Sequence, residues 1–200
     1  MEALPPKSLS GVLGLDAGTT RWVLWDEHGV MKDPMGDSTT PAFIGWNNGR
    51  FVFGTVARAK AVKYPHMTYY DLKRLLGVKY SKGLDASYPF PLFSTADGKV
   101  LLRLGEQEYF PQDLLAKMMK YLVDNAELVS GSPYHWIVVT VPAAHGHLAR
   151  RALLDACQMA GLNVLRCISE PTAAGINLVD IINLQDGHLH WVFIFDLGSV

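Results

Sequence analysis

The sequence predicts an α/β protein, and three observations carry that prediction. Short apolar runs of strand length alternate with longer stretches of helical period. From residue 136 onward the alternation is regular: strand 136–141, helix 148–160, strand 164–168, helix 171–182, strand 191–195. Crossovers of that length favour parallel pairing among the later strands. The third observation is size. Two hundred residues at 49% hydrophobic suffice for one sizeable core, or for two small subdomains sharing a seam.

Taken in order, residues 11–16 (GVLGLD) read as a buried strand and 21–26 as a second. Glu27, His28 and Gly29 supply a turn before a weaker strand begins at Val30. Residues 40–46 and 51–53 flank Asn47-Asn48-Gly49, an Asn-Gly hairpin signal. Residues 54–64 and 70–76 look helical, closed by Pro65 and Gly77. Residues 91–95 and 99–104 flank the turn Ala96-Asp97-Gly98. Pro111 then opens a long amphipathic helix in which Leu114, Leu115, Met118, Leu122 and Ala126 form one apolar stripe, a core face.

Composition narrows the function classes. Nineteen acids against eighteen bases leave a net charge of -1, with no electrostatic footprint for nucleic acid or an acidic membrane surface. The first ten residues hold one lysine, two prolines and no apolar run, which is not the pattern of a secretory signal. The apolar run 191–195 is far too short to span a bilayer. Cys157 and Cys167 form no CxxC pair and suggest buried, inert thiols in a reducing compartment. A soluble, cytoplasmic protein is the expectation. His145 and His147, like His188 and His190, give at most two ligands without a cysteine or acid at metal spacing, which argues against zinc.

The chemistry-bearing feature is a long-range echo. Leu15-Asp16-Ala17-Gly18 follows the first strand, and Phe195-Asp196-Leu197-Gly198 follows the last. Glycine lets backbone approach a phosphate closely, and the amides and hydroxyls of Thr19 and Thr20 can donate to its oxygens. An aspartate there suits a hydrated magnesium ion, which binds through one or two carboxylates. Asp and Gly are also ordinary turn residues, and only the pairing tilts the reading towards phosphate.

The segment Gly14-Leu15-Asp16-Ala17-Gly18-Thr19-Thr20 resembles the first phosphate motif of the seventy-kilodalton heat-shock proteins, the DnaK-type chaperones. So do Thr39-Thr40-Pro41, Asp71-Leu72-Lys73-Arg74-Leu75-Leu76-Gly77, Val138-Val139-Thr140-Val141-Pro142-Ala143 and the segment 160–166. The most specific words are Glu170-Pro171-Thr172-Ala173-Ala174-Gly175-Ile176 and Phe195-Asp196-Leu197-Gly198. They occur in family order over about residues 11–198.

The resemblance implies a ribonuclease-H-like, actin-like ATPase lobe over residues 11–200 after a tail at 1–10. A small α+β subdomain would be inserted at about 40–115, and 188–200 would begin a second lobe that the chain does not complete. It implies ATP or ADP with Mg2+ as cofactors. Asp16, Gly18, Thr19, Thr20, Arg21, Lys73, Gly198 and Ser199 would hold nucleotide, and Asp16, Glu170 and Asp196 the metal. Lys73, Glu170, Asp196 and Thr19 would serve hydrolysis. Read from residues alone, Lys73 is better taken as a solvated lysine beside Arg74 on a short helix, and Glu170 also reads as a helix-start carboxylate before Pro171. Pro142 and Arg150 match a pair that relays nucleotide state in the family. J-domain co-chaperones and nucleotide-exchange factors are the implied partners.

Departures stand beside the matches. Arg21 replaces a small polar or tyrosine residue, Ala144-His145-Gly146-His147 replace Tyr-Phe-Asn-Asp, and Ser199 and Val200 replace glycines. A chain with one wall of the cleft is expected to lack appreciable ATPase turnover by itself, leaving a non-enzymatic partner-binding module as the rival reading. The run Trp191, Val192, Phe193, Ile194 and Phe195 reads as a doubly buried strand, and self-association through it is expected.

Overall fold

A computed structural model describes residues 8–182, 188, 189 and 191–195 of the chain. Strand β1 (Val12–Ala17) runs antiparallel to β2 (Arg21–Asp26), which turns through Glu27 and His28 into β3 (Gly29–Val30). The His28 amide donates to Asp26 Oδ1 at 2.8 Å and tightens that turn. Next come β4 (Thr40–Pro41), β5 (Ile44–Asn47), β6 (Arg50–Phe53), helix α1 (Gly54–Ala61) and β7 (Thr68–Tyr69). A 3-10 turn at Leu72–Leu75 leads to the short helix α2 (Lys82–Asp85) and to β8 (Phe93–Ser94), β9 (Val100–Leu104) and β10 (Gln107–Tyr109). The long helix α3 (Pro111–Ser130), β11 (Trp136–Val141), α4 (His147–Met159), β12 (Asn163–Ser169) and α5 (Glu170–Ile182) complete the described elements.

The main sheet has the order β12-β11-β1-β2-β3, with β4 also paired to β2. The β12, β11 and β1 strands are parallel, as the long crossovers require, and the β1 to β3 side is an antiparallel meander. Two three-stranded sheets, β6-β5-β7 and β10-β9-β8, occupy the middle of the chain. Asn48 and Gly49 both take positive φ, 49° and 79°, the conformation a two-residue hairpin between β5 and β6 needs.

The period-2 alternation of the central strands divides core from cleft. Leu13, Leu15 and Ala17 of β1, with Ile137, Val139 and Val141 of β11, are buried in one cluster with Leu114, Met118 and Leu122 of α3 and Leu153 and Ala156 of α4. Gly14, Asp16, Val138 and Thr140 take the other face. Helix α3 starts as expected, with Pro111 in its first turn and the Asp113 carboxylate accepting the Phe110 amide at 2.7 Å. It stops at Gly131, which takes the left-handed conformation at φ 70°.

Three expectations need correction. Residues 40–46 do not form one strand: Thr40 pairs with Trp22 in the main sheet, while Ile44 pairs with Phe53 in another. Residues 70–76 hold only a 3-10 turn, because Asp71 is left-handed at φ 53° and Leu76 is extended. The run 191–195 is not a strand; none of the sheet pairings among the described residues includes it, and Trp191 and Phe193 are 92% and 87% exposed. Cys157 and Cys167 are free; burial pushes the Cys157 thiol up to about 12 and raises that of half-buried Cys167. No described helix is long and apolar enough to cross a membrane.

Gly77 locks the 3-10 turn to the rest of the fold. It has φ +67°, and a Cβ there would lie 2.7 Å from both Leu148 Cβ and the Ala149 backbone nitrogen of α4. Gly77→Ala combines left-handed strain with a backbone clash, so an expected loss of roughly 1–3 kcal/mol should appear in denaturant unfolding.

Candidate functional site

The turn from β1 to β2 is Gly18-Thr19-Thr20, and its shape depends on the first of these. A Cβ on Gly18 would lie 2.5 Å from the Arg21 carbonyl oxygen, closer than any side chain tolerates. Strand β4 braces the turn from outside: the Ala42 amide donates to the Thr20 carbonyl at 2.8 Å. The Arg21 guanidinium donates to Thr39 Oγ1 at 3.0 Å. The Thr39-Thr40-Pro41 word thus backs the turn, with Thr40 itself buried.

An open cleft of about 1410 Å³ lies over the cleft face of the sheet. Asp16, Gly18, Thr19, Thr20 and Arg21 line one side, Thr140 and Pro142 the floor, and Glu170 with the first turn of α5 another side. Asp16 and Thr140 stand on adjacent parallel strands in register, and the Thr140 hydroxyl donates to Asp16 Oδ1 at 2.7 Å. That bond aims the carboxylate and leaves lone pairs of both its oxygens open. Ser169 caps α5, accepting from the Thr172 amide at 3.2 Å, so Glu170 stands in the first turn where the helix dipole favours an anion.

Lys73 does not line the cleft; it lies behind it. The 3-10 turn packs against α3 and buries Leu72, Leu75 and Lys73, leaving Arg74 to solvent. The Lys73 ammonium, its side chain 3% exposed, donates to Glu170 Oε1 at 2.7 Å. The solvated-lysine reading fails here, since a buried ammonium is held only where a carboxylate answers it. Arg150 fixes the neighbouring loop, donating from Nε to the His145 carbonyl at 2.9 Å. Burial first, then the Lys73 and Arg150 charges, lower the pKa of His145 below its ordinary value.

Among the described residues no group of three His, Cys, Asp or Glu side chains could enclose a metal ion. The Asp16 and Glu170 carboxylates, which line the same cleft, are of the chemical type that suits a hydrated magnesium, an ion that needs only one or two protein carboxylates. Asp196, Gly198 and Ser199 lie outside the described residues, as does His190. Neither Thr140 nor His145 was assigned a role from sequence. The in-register alternation of β1 and β11 is the signal that pairs Thr140 with Asp16.

The family model for the Hsp70 protein matches residues 12–200. The chain belongs to the Hsp70 family. Similar Hsp70 relatives include the chaperone protein dnaK of Cyanidioschyzon merolae, 34% identical over 96% of this chain and 32% of that relative. The chaperone protein dnaK3 of Thermosynechococcus vestitus is 33% identical over 94% of this chain and 28% of its own length. DnaK of Deinococcus proteolyticus is 31% identical, covering 96% and 31%. The chain thus spans about a third of the length of these Hsp70 chaperones.

Two expectations follow for this Hsp70 chain. Glu170→Ala takes the carboxylate away from a buried ammonium and should cost roughly 3 kcal/mol, with Lys73→Met costing less because the freed carboxylate reaches water. Calorimetric unfolding of the two variants checks the order. The second expectation concerns pH. With His145 lowered from 6.5, the unfolded chain takes up this proton before the native one as pH falls. The group's contribution is therefore complete above about 6.5 and declines below it until the native ring protonates. Denaturant midpoints between about pH 5 and pH 8 should show a shallower acid decline in His145→Phe.

Proposed function

We propose that this chain forms the phosphate-holding wall of the ATP-binding lobe of a heat-shock-70-type chaperone, a lobe of ribonuclease-H-like, actin-like ATPase architecture. The observation that carries the reading is the convergence, on one cleft, of the Gly18 turn, the aimed Asp16 carboxylate and Glu170 with Lys73 bound behind it. The sheet order with its antiparallel meander and parallel crossovers supports the lobe assignment. The two middle sheets correspond to an inserted subdomain at about 40–115, inside a lobe over 11–200 whose residues from 188 begin the second lobe.

In this reading the amides and hydroxyls at Gly18, Thr19 and Thr20 hold phosphate oxygens, and Arg21 adds a cation at the rim. Asp16 and Glu170, joined by Asp196, hold the waters of a magnesium ion that neutralises phosphate charge. Lys73 orients the attacking water and the terminal phosphate. Hydrolysis of ATP to ADP and phosphate then rests on positioning and electrostatics. Pro142 follows β11 in the loop and Arg150 stands in the first turn of α4, where the pair would relay the state of the cleft to a client-binding half. J-domain co-chaperones and nucleotide-exchange factors are the matching partners, and the cytoplasm the matching compartment.

A second reading, a partner-binding module without turnover, is favoured by one observation. Trp191, Phe193 and Phe195 are 92%, 87% and 70% exposed, with the two phenylalanine rings stacked at 6.3 Å. Apolar exposure of this kind marks a surface for self-association or a partner. Isothermal titration with magnesium-ATP separates the readings. Heat of binding that is lost in Asp16→Ala and Gly18→Ala, and absent with adenosine, is expected. A folded chain with no response to magnesium-ATP would favour the partner-binding module.

A further inference from the structure

The buried Lys73 ammonium and the sealed Nδ1 of half-buried His145 both have unused hydrogen-bonding capacity. The Lys73 ammonium has three donors and, among the described residues, gives one hydrogen bond, to Glu170. His145 Nδ1 is sealed from solvent and is, among the described residues, the buried side-chain polar atom that finds no partner. Such an atom normally costs stability, so its retention calls for a cause.

The backbone around His145 is held on both sides. Its amide donates to the Pro142 carbonyl at 3.1 Å, and its carbonyl accepts from Arg150 Nε at 2.9 Å. A second Arg150 nitrogen reaches the Ala143 carbonyl at 3.5 Å. Arg150 is therefore committed to the loop backbone, and the ring nitrogen is left for something else. The charges that act on it are Lys73 from the 3-10 turn and Arg150 from α4, with Glu170 of α5 bound to Lys73; Cys167 of β12 faces the same two cations. The one carboxylate of that set is taken, so nothing draws a proton onto the ring.

We propose that His145 is a positioning residue for Lys73, its unprotonated Nδ1 serving as the second acceptor that receives the ammonium when Glu170 turns to metal-bound water. The handover rests on the nucleotide reading above; the pairing of Lys73 with His145 does not. A lysine that must approach a phosphate cannot stay locked to a carboxylate, yet losing its only acceptor would leave a bare charge in the protein interior. A neutral imidazole nitrogen solves this, because it accepts a hydrogen bond without competing as an anion. Burial together with the two cations favours that neutral form. A phenylalanine ring at this place would fill similar space and offer no acceptor.

Nitrogen-15 NMR of the imidazoles in the whole chain tests the pairing, with His145→Phe assigning the resonances. The expected result is an Nε2–H tautomer with bare Nδ1. Its titration midpoint should rise in Lys73→Met, which removes the cation. It should fall in Glu170→Gln, where the ammonium goes over to the ring. If Glu170→Gln does not fold, Lys73→Met decides alone. A proton on Nδ1 in the neutral ring, or a midpoint unmoved by Lys73→Met, overturns the proposal. Magnesium-ATP should move the Nδ1 resonance in the same sense as Glu170→Gln. Should both variants respond while magnesium-ATP produces neither heat nor a shift, the nucleotide reading fails and the Lys73–His145 pairing stands.

Discussion

A lysine ammonium taken out of water must be answered by a charge, and Lys73 is answered by Glu170, 97 residues away in the chain. Much of the architecture can be read from that requirement. The 3-10 turn bearing Lys73 has to be pressed into the interior, so Leu72 and Leu75 beside it pack against α3. Glu170 has to arrive from the far side, so β12 must run parallel to β11 and deliver its carboxyl end to the same level as the end of β1. The pair thus couples the middle of the sequence to its last described helix, with Glu170 lining the cleft and Lys73 behind it.

The sheet supplies the second constraint. Alternation along β1 and β11 sends branched apolar side chains to the helices and Gly14, Asp16, Val138 and Thr140 to the cleft. A one-residue slip between these strands would put Asp16 into the core and Leu15 into the cleft. Fold and site therefore share one register, and the Thr140–Asp16 hydrogen bond is the point where both can be seen at once.

Much of this was legible in the residues. Strands β1, β2 and β11 and helix α3 have strong patterns, and local pattern sets them. Asp16, Gly18 and Glu170 were legible because each ends a strand or opens a helix. What local pattern misses is what distant residues decide. Thr40 leaves the strand that would continue to Trp46 because Trp22 offers a partner in another sheet. Lys73 is buried because of Glu170, and no window around residue 73 contains that fact. The run 191–195 has the composition of a buried strand, yet composition cannot furnish a neighbouring strand to pair with it. His145 looked like half of a weak metal pair, and only its sealed Nδ1 redirects attention to Lys73.

The contact of Gly77 with α4 has a mechanical consequence. With no side chain between them, the peptide just beyond the Lys73 turn bears on Leu148 and Ala149 as backbone against helix. Side chains are compliant and can absorb a small displacement by changing rotamer; main chain cannot. A shift of a few tenths of an ångström at the start of α4 would therefore pass to the lysine almost undamped. Read this way, the first turn of α4 and the lysine turn move as one stiff lever, with its fulcrum at a residue that has no side chain to bend.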